Sequence, residues 1–187
     1  MTRFSIDNLA TRLRGEPAAL SEDGQSVVEA AVLIALIPGD EDADIILTRR
    51  ADHMRHHPGQ IAFPGGRRER GETAWEAACR EAHEEIGLAP NAVERLGYLN
   101  PLRTGTGFMV QPCVGLVHKP FRAMPNPEEV AEVFLVPSIV LFDRRRYEET
   151  AIPGFGVRMP ALRYRRHLVW GATAGMIGDI IDLLEPA

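Results

Sequence analysis

The apolar residues of this chain fall into short runs divided by turn residues, and the runs switch between strand-like and helix-like spacing. Residues 27–37 (VVEAAVLIALI) form a long apolar run and read as a central strand. An acidic turn over 38–44 follows, and 45–49 is expected to pair beside that strand. Residues 94–99 and 109–118 read as strands separated by the turn Gly105-Thr106-Gly107. Residues 130–136 predict another strand, and 137–141 a turn into a short helix. Residues 144–159 are polar and interrupted by Pro and Gly, which predicts a loop or hairpin. A final strand is expected over 164–170.

Helical spacing occurs in three places. Residues 6–13 predict a short amphipathic helix, with a turn-rich loop over 16–25 after it. Residues 172–184 carry Met176, Ile177, Ile180, Ile181 and Leu184, an apolar stripe that predicts core packing. The third helix has clear ends. Thr73 and Glu76 form a T-x-x-E capping box, good helix formers run to Glu85, Gly87 sits at a left-handed C-terminal position, and Pro90 prevents resumption. The chain contains no internal repeat, low-complexity run or interdomain linker. A mixed sheet with helices on both sides accounts for this alternation and puts the chain in the α/β class.

Composition changes the picture in a few respects. The 187 residues fit an N-terminal extension with a short helix over 1–24 and a single domain over 25–187, and 45% hydrophobic residues suffice for a full core. A formal charge of −5 and a pI near 5.7 argue against general nucleic-acid binding. Cys79 and Cys113 give neither a disulfide framework nor metal-ligand spacing, which suits a reduced cytoplasm. Residues 1–24 lack the apolar core of a signal peptide, and no run approaches the ~20 apolar residues of a membrane helix. The expected partner is a small molecule, bound by a monomer or homodimer.

The candidate chemistry lies on the third helix. Glu81, Glu84 and Glu85 stand at i, i+3 and i+4 and crowd one face. Such crowding is unfavourable without a cation, and hard carboxylate oxygens suit Mg²⁺ or Mn²⁺. None of these side chains needs burial, and the competing reading is a solvated acidic face. Arg80 is expected to pair with a glutamate and orient it. Ala78 and Cys79 should face the core, and His83 the solvent. Glu72 precedes the helix and can join through the loop.

Gly66, Glu72, Arg80, Glu81, Glu84, Glu85 and Gly87 follow the spacing G-x5-E-x7-R-E-x-x-E-E-x-G. This resembles the Nudix box, the signature of the Nudix hydrolases. The resemblance implies an α/β/α sandwich with a mixed β-sheet, and metal-dependent hydrolysis of a diphosphate linked to another group. Glu81, Glu84 and Glu85 would hold Mg²⁺ or Mn²⁺. Glu81, Glu84 and Glu129 would be the catalytic residues.

A second motif overlaps the first. Residues 46–66, ILTRRADHMRHHPGQIAFPGG, resemble the LLTxR(S/A)xxxRxxxGxxxFPGG pattern of the coenzyme A pyrophosphatase subgroup. Leu47, Thr48, Arg50, Ala51, Arg55, Gly59, Phe63, Pro64, Gly65 and Gly66 fill its places, and Ile46 replaces a leucine. NPEEV at 126–130 and YRRHLVWGATAGMI at 164–177 resemble that subgroup's middle and end. The implied reaction cuts coenzyme A or acyl-coenzyme A into 3′-phosphoadenosine 5′-phosphate and (acyl-)4′-phosphopantetheine. Arg50, Arg55, Gly65 and Gly66 would bind substrate, since arginines recognise phosphate through a rigid fork of donors. A solvated basic loop competes for the arginines, and His56 and His57 read as loop residues. Glu129 and Glu132 could each supply a base or an outer metal contact, against a surface strand.

Other features have plainer readings. Arg144, Arg145 and Arg146 suit a solvated loop, with a dimer contact or an adenine-side contact as alternatives. Arg163, Arg165, Arg166 and His167 are expected to face solvent. Trp75 and Trp170 suit packing rather than base stacking. Ser138 lacks a nucleophile-elbow context. Two other functions stay open: a Nudix diphosphatase for ADP-ribose, NADH or another nucleoside diphosphate derivative, and a non-catalytic nucleotide-sensing module. The second would be expected to lose box glutamates, and Glu72, Glu81, Glu84 and Glu85 are all present.

Overall fold

A strand that is apolar on both faces must be covered on both. The computed structural model describes residues 4–16, 29–39, 42–105, 107–118 and 120–185. Within these residues the chain runs α1 (Ile6–Ala10), β1 (Glu29–Pro38), β2 (Ala43–Arg50), β3 (Ile61–Ala62), β4 (Gly65–Arg67), α2 (Ala74–Ile86), β5 (Val93–Tyr98), β6 (Leu102–Arg103) and β7 (Met109–Val117). It continues through β8 (Val130–Pro137), α3 (Ser138–Leu141), β9 (Tyr147–Ala151), β10 (Arg158–Tyr164), β11 (His167–Val169) and α4 (Gly171–Leu184).

The main sheet has the order β3-β2-β1-β7-β5, with β8 on β2, β4 on β1 and β6 on β7. β1 and β7 are parallel, with Leu33 opposite Cys113, whereas β2 and β4 run antiparallel to β1. The period-2 alternation of β1 sorts the core. Ala31, Leu33 and Ala35 pack under α2 against Ala77, Ala78, Ala82 and Ile86. Ile34 and Leu36 face the other way, toward Leu9 of α1, Leu141 of α3, and Ile177 and Ile180 of α4. This is the expected α/β/α sandwich with a mixed sheet.

β1 and β2 pair over a short stretch, from Leu36 and Ile45 to Pro38 and Ala43. Beyond it they part. β4 takes the edge of β1, with Val32 opposite Gly65, and β3 takes that of β2, with Thr48 opposite Ala62. The Leu33 amide donates to Pro64 O at 2.8 Å and ties the intervening chain into the gap. This parting of two central strands brings β4 under α2.

Several elements differ from the sequence reading. The final strand over 164–170 is two strands. β10 ends at Tyr164, the chain turns through Arg165 at φ 53°, and β11 returns with His167 opposite Tyr164. An arginine pair carries none of the usual turn chemistry, so the reversal was hidden. β9 and β10 form the hairpin foreseen over 144–159. His167 does not face solvent: it is 5% exposed and stacked on Phe134, with ring centroids 4.0 Å apart. Helix α1 stops at Ala10, and Arg14 instead bridges Tyr98 through paired backbone bonds of 3.0 and 2.9 Å. The two-residue β6 was missed. The loop expected over 16–25, apart from residue 16, and the start of the strand at 27–28 lie outside the described residues.

Gly87 ends α2 at φ 73°, and a Cβ there would lie 3.0 Å from Met124. Gly87→Val should therefore cost about 1 kcal/mol or more through left-handed backbone strain. In a chain of this size that lowers the melting temperature by roughly 2–4 °C. An unchanged melting temperature would count against this account of the helix end.

Candidate active site

Both ends of α2 are fixed locally, so its charged face has a defined position. Thr73 Oγ1 accepts from the Glu76 amide at 3.2 Å, and Glu76 Oε2 accepts from the Thr73 amide at 2.8 Å, closing the predicted capping box. Alanines at 74, 77, 78 and 82 let the helix lie close to the sheet. Ala78 and Cys79 are buried and His83 is exposed, as expected.

Arg80 is the hub of the charged face. Its Nε donates to Glu72 Oε1 at 2.7 Å, and Nη1 donates to Glu81 Oε1 at 3.0 Å and Glu84 Oε2 at 3.1 Å. Nη2 reaches Arg67 O at 2.9 Å, so the same side chain ties the helix to β4. The hydrogen bond from Arg80 is the main force holding the Glu72 carboxyl below the usual range. Glu72 thus joins the site through Arg80.

Glu81 and Glu85 point into the parted strands. A Cβ at Gly66 would lie 2.5 Å from the Glu81 carboxyl carbon, so that carboxylate occupies the space a side chain would take. Glu85 is 3% exposed, and its Oε2 accepts from the Gly65 amide at 3.1 Å. The reading that these glutamates need no burial is therefore corrected for Glu85. Its helical position turns it into the gap, whereas Glu84 stays exposed. Burial pushes Glu85 up to about 8, against the Gly65 N–H and the Arg50 charge, which favour ionisation. Burial likewise raises Glu81, with Arg80 opposing.

A loop supplies the third carboxylate. Asn126 O accepts from the amides of Glu129 at 3.0 Å and Val130 at 2.8 Å, and the Asn126 amide donates to Glu85 O at 2.8 Å. The Ala51 amide donates to Glu129 O at 2.8 Å. These bonds anchor the NPEEV segment to the end of α2 and to the chain leaving β2. Carboxylate oxygens of Glu81, Glu85 and Glu129 lie within 4.8 Å of one another. Three hard oxygen donors, two of them disfavoured as bare anions, fit a divalent cation such as Mg²⁺ or Mn²⁺. Glu84 lies outside that trio. Glu132 is turned elsewhere, paired with Arg166 Nη2 at 2.8 Å and with His167 Nε2 at 3.5 Å.

The arginines of the second motif take different positions. Arg50 is half-buried beside the trio, and its buried Nε finds no hydrogen-bond partner among the described residues. Arg55 is exposed on the loop between β2 and β3. Arg49 is bound by Asp52 at 2.6 and 3.1 Å. Arg144 pairs with Asp182 and Glu185, and Arg145 and Arg146 pair with Asp143. Ser138 is buried and accepts from the Ala43 amide at 3.3 Å, a structural contact. Trp75 packs at the edge of the α2 core. The part of Asn126 in setting Glu129 was missed. Its signal was an Asn-Pro pair, which favours turns.

A family model described as the NUDIX domain matches residues 27–148, more than half of the chain. The chain belongs to the Nudix family. It is a Nudix hydrolase, a pyrophosphatase-type enzyme for nucleoside diphosphate derivatives, in a family that generally uses divalent cations. It is 37% identical over 180 residues to the uncharacterized Nudix hydrolase NudL of Enterobacter sp. (strain 638), covering 95% of this chain and 93% of that one. The NudL protein of Yersinia enterocolitica is 41% identical over 151 residues, 79% of this chain and 77% of the relative. Among solved structures, the Nudix hydrolase RenU of M. smegmatis aligns with a TM-score of 0.51 at 28% identity over 58% of this chain and 70% of that one. DR0079 of Deinococcus radiodurans aligns with a TM-score of 0.52 at 21% identity over 89% and 88%, a likeness of fold. No helix among the described residues is long and apolar enough to cross a membrane.

The contact between Gly66 and Glu81 yields a test. Gly66→Ala should displace the Glu81 carboxylate and weaken cation binding. A cation bound only by the folded protein at a hundredfold excess over Kd stabilises it by about 2.7 kcal/mol. Titration with Mg²⁺ or Mn²⁺ should therefore raise the melting temperature of the wild type by several degrees and that of Gly66→Ala much less. Equal shifts in both proteins would separate Gly66 from the metal site.

Proposed function

We propose that this enzyme hydrolyses the diphosphate of coenzyme A or acyl-coenzyme A, giving 3′-phosphoadenosine 5′-phosphate and (acyl-)4′-phosphopantetheine. The observation that carries this reading is the second motif over residues 46–66, together with the position of its Arg50 beside the carboxylate trio. The motif's Gly65 and Gly66 are also the residues against which Glu85 and Glu81 lie. The two overlapping motifs therefore supply one site.

Glu81, Glu85 and Glu129 would hold the cation. When bound there, it would supply a lowered pKa for attacking water and charge neutralisation at the phosphoryl oxygens. Arg80 holds Glu81 and Glu84 in fixed orientations. Arg50, whose charge acts on Glu85, would bind the diphosphate, as a guanidinium suits phosphate oxygens. Glu84 is half-exposed with one oxygen engaged by Arg80, and would accept the proton of the attacking water. Gly65 and Gly66 leave room for β1 and for the Glu81 carboxylate, and so would set where the cation meets the diphosphate. Arg55, exposed on the same loop, would meet the entering substrate.

Two measurements divide these roles. Glu85→Gln should remove most hydrolysis and abolish the metal-dependent rise in melting temperature. Glu84→Gln should lower kcat by about 10² to 10⁴, the usual worth of general base catalysis, with the metal shift retained. Near-normal turnover in both variants at saturating metal would contradict the assignment.

The substrate itself is tested with coenzyme A, dephospho-coenzyme A, ADP-ribose and NADH, with products identified by mass. Coenzyme A should be preferred. Arg50→Ala should lower kcat/KM for coenzyme A and dephospho-coenzyme A alike by roughly ten- to a hundredfold, the worth of a charge-assisted contact. A larger loss on coenzyme A alone would assign Arg50 to the 3′-phosphate.

A further inference from the structure

Successive residues of β2 serve opposite sides of the sheet. Arg50 lies on the α2 side, where its charge acts on Glu85. Arg49 lines a cleft of about 270 Å³ together with Gly59, Phe155, Arg166, His167 and Trp170. The two regions meet at the end of the strand, where the Arg50 amide donates to Gln60 O at 3.0 Å and the Gly59 amide donates to Arg50 O at 3.2 Å. The Gln60 and Gly59 backbones also wall the cleft.

The cleft combines an aromatic surface with two arginines, each paired with a carboxylate. Phe155 stands in the β9–β10 connection between Gly154 and Gly156 and is 53% exposed. Its ring meets Trp170 edge to face, with centroids 4.8 Å apart at 62°. Arg166 is held by Glu132 at 2.8 Å through one of its nitrogens, and Arg49 is held by Asp52. The carboxylates fix these guanidiniums in place, and the fork of Arg166 keeps other donors for a ligand. The volume suits one end of a nucleotide substrate rather than the whole.

We infer that this cleft takes the 3′-phosphoadenosine end of the substrate, with the base against Phe155 and Trp170 and the 3′-phosphate at Arg166 and Arg49. The inference rests on the coenzyme A reading. A purine can stack on an aromatic wall without dedicated hydrogen bonds, and arginine is the side chain best matched to a phosphate monoester. It gives the exposed face of Phe155 a stacking partner and makes Arg166, whose fork keeps free donors, the main contact of the monoester, with Arg49 beside it.

Phe155→Ala and Arg166→Ala both alter exposed side chains, and their melting temperatures report whether each is folded. Calorimetric titration with adenosine 3′,5′-bisphosphate, AMP and 4′-phosphopantetheine separates the two ends of the substrate. Phe155→Ala should weaken the bisphosphate and AMP by about tenfold each, a typical loss for one stacked base, and leave 4′-phosphopantetheine unaltered. Its effect on coenzyme A hydrolysis should fall on KM. Arg166→Ala should weaken the bisphosphate by about tenfold and AMP by less than twofold, as loss of one charge-assisted contact requires. Unchanged bisphosphate binding in both variants overturns the inference while leaving coenzyme A hydrolysis intact. A wild type that cleaves ADP-ribose but not coenzyme A overturns the coenzyme A reading, and with it the 3′-phosphate assignment. The base site is then judged on AMP: weaker binding in Phe155→Ala upholds it, and equal binding overturns it.

Discussion

Carboxylates repel, and this fold presses them against a sheet where water cannot relieve the repulsion. Glu81 lies where a side chain at Gly66 would otherwise stand, and Glu85 is buried on the Gly65 amide. Arg80 offsets part of this charge by joining Glu72, Glu81 and Glu84 to the carbonyl of Arg67. It does not touch Glu85, which keeps one backbone N–H and the nearby charge of Arg50. The protein therefore satisfies one side of the acidic face and leaves the other short of positive charge. That imbalance is what a divalent cation would correct, and it persists because backbone and packing give the carboxylates no exit.

The rest of the fold serves that arrangement. Small residues on α2 let the helix approach the sheet, and glycines on β4 let the sheet accept it. The parting of β1 and β2 opens the space between them, and Pro64 O tied to the Leu33 amide keeps it at a fixed width. The C-terminal turn at Gly87 matters for the same reason. It stops α2 where the loop carrying Met124 and Asn126 can bond to Ile86 O and Glu85 O, and this brings Glu129 to its position. A helix that ran one turn further would block the loop that completes the trio.

Much of this was legible in the sequence, for identifiable reasons. Thr73, Glu76 and Gly87 act on their own backbone neighbourhood, so the bounds of α2 followed from local chemistry. The apolar run of β1 marked a central strand, and the alternation of strand and helix patterns implied helices on both sides of the sheet. Long-range effects were harder to read. The i, i+3, i+4 relation treats Glu81, Glu84 and Glu85 as one face. The helix is rotated against the sheet so that Glu85 is buried and Glu84 is not, and spacing alone cannot express that rotation. Glu129 and Glu132 looked equivalent for a similar reason. They are three residues apart, and a strand start between them sends Glu129 to α2 and Glu132 to Arg166. The turn at Arg165 was invisible because its left-handed residue is an arginine.

The alternation of β2 links the two chemistries of the molecule. In an extended strand neighbouring side chains diverge, and here Arg49 pairs with Asp52 while the charge of Arg50 acts on Glu85, across a register shift against β8. In the proposed reading, the two adjacent arginines would provide two anion contacts on either side of one backbone. A substrate with phosphates at both its centre and one end is matched by such a pair. A substrate with a single diphosphate would leave Arg49 with only Asp52 to bind. Under the proposed coenzyme A reading, the diphosphate and the separate monoester would fall to the two sides of this strand end.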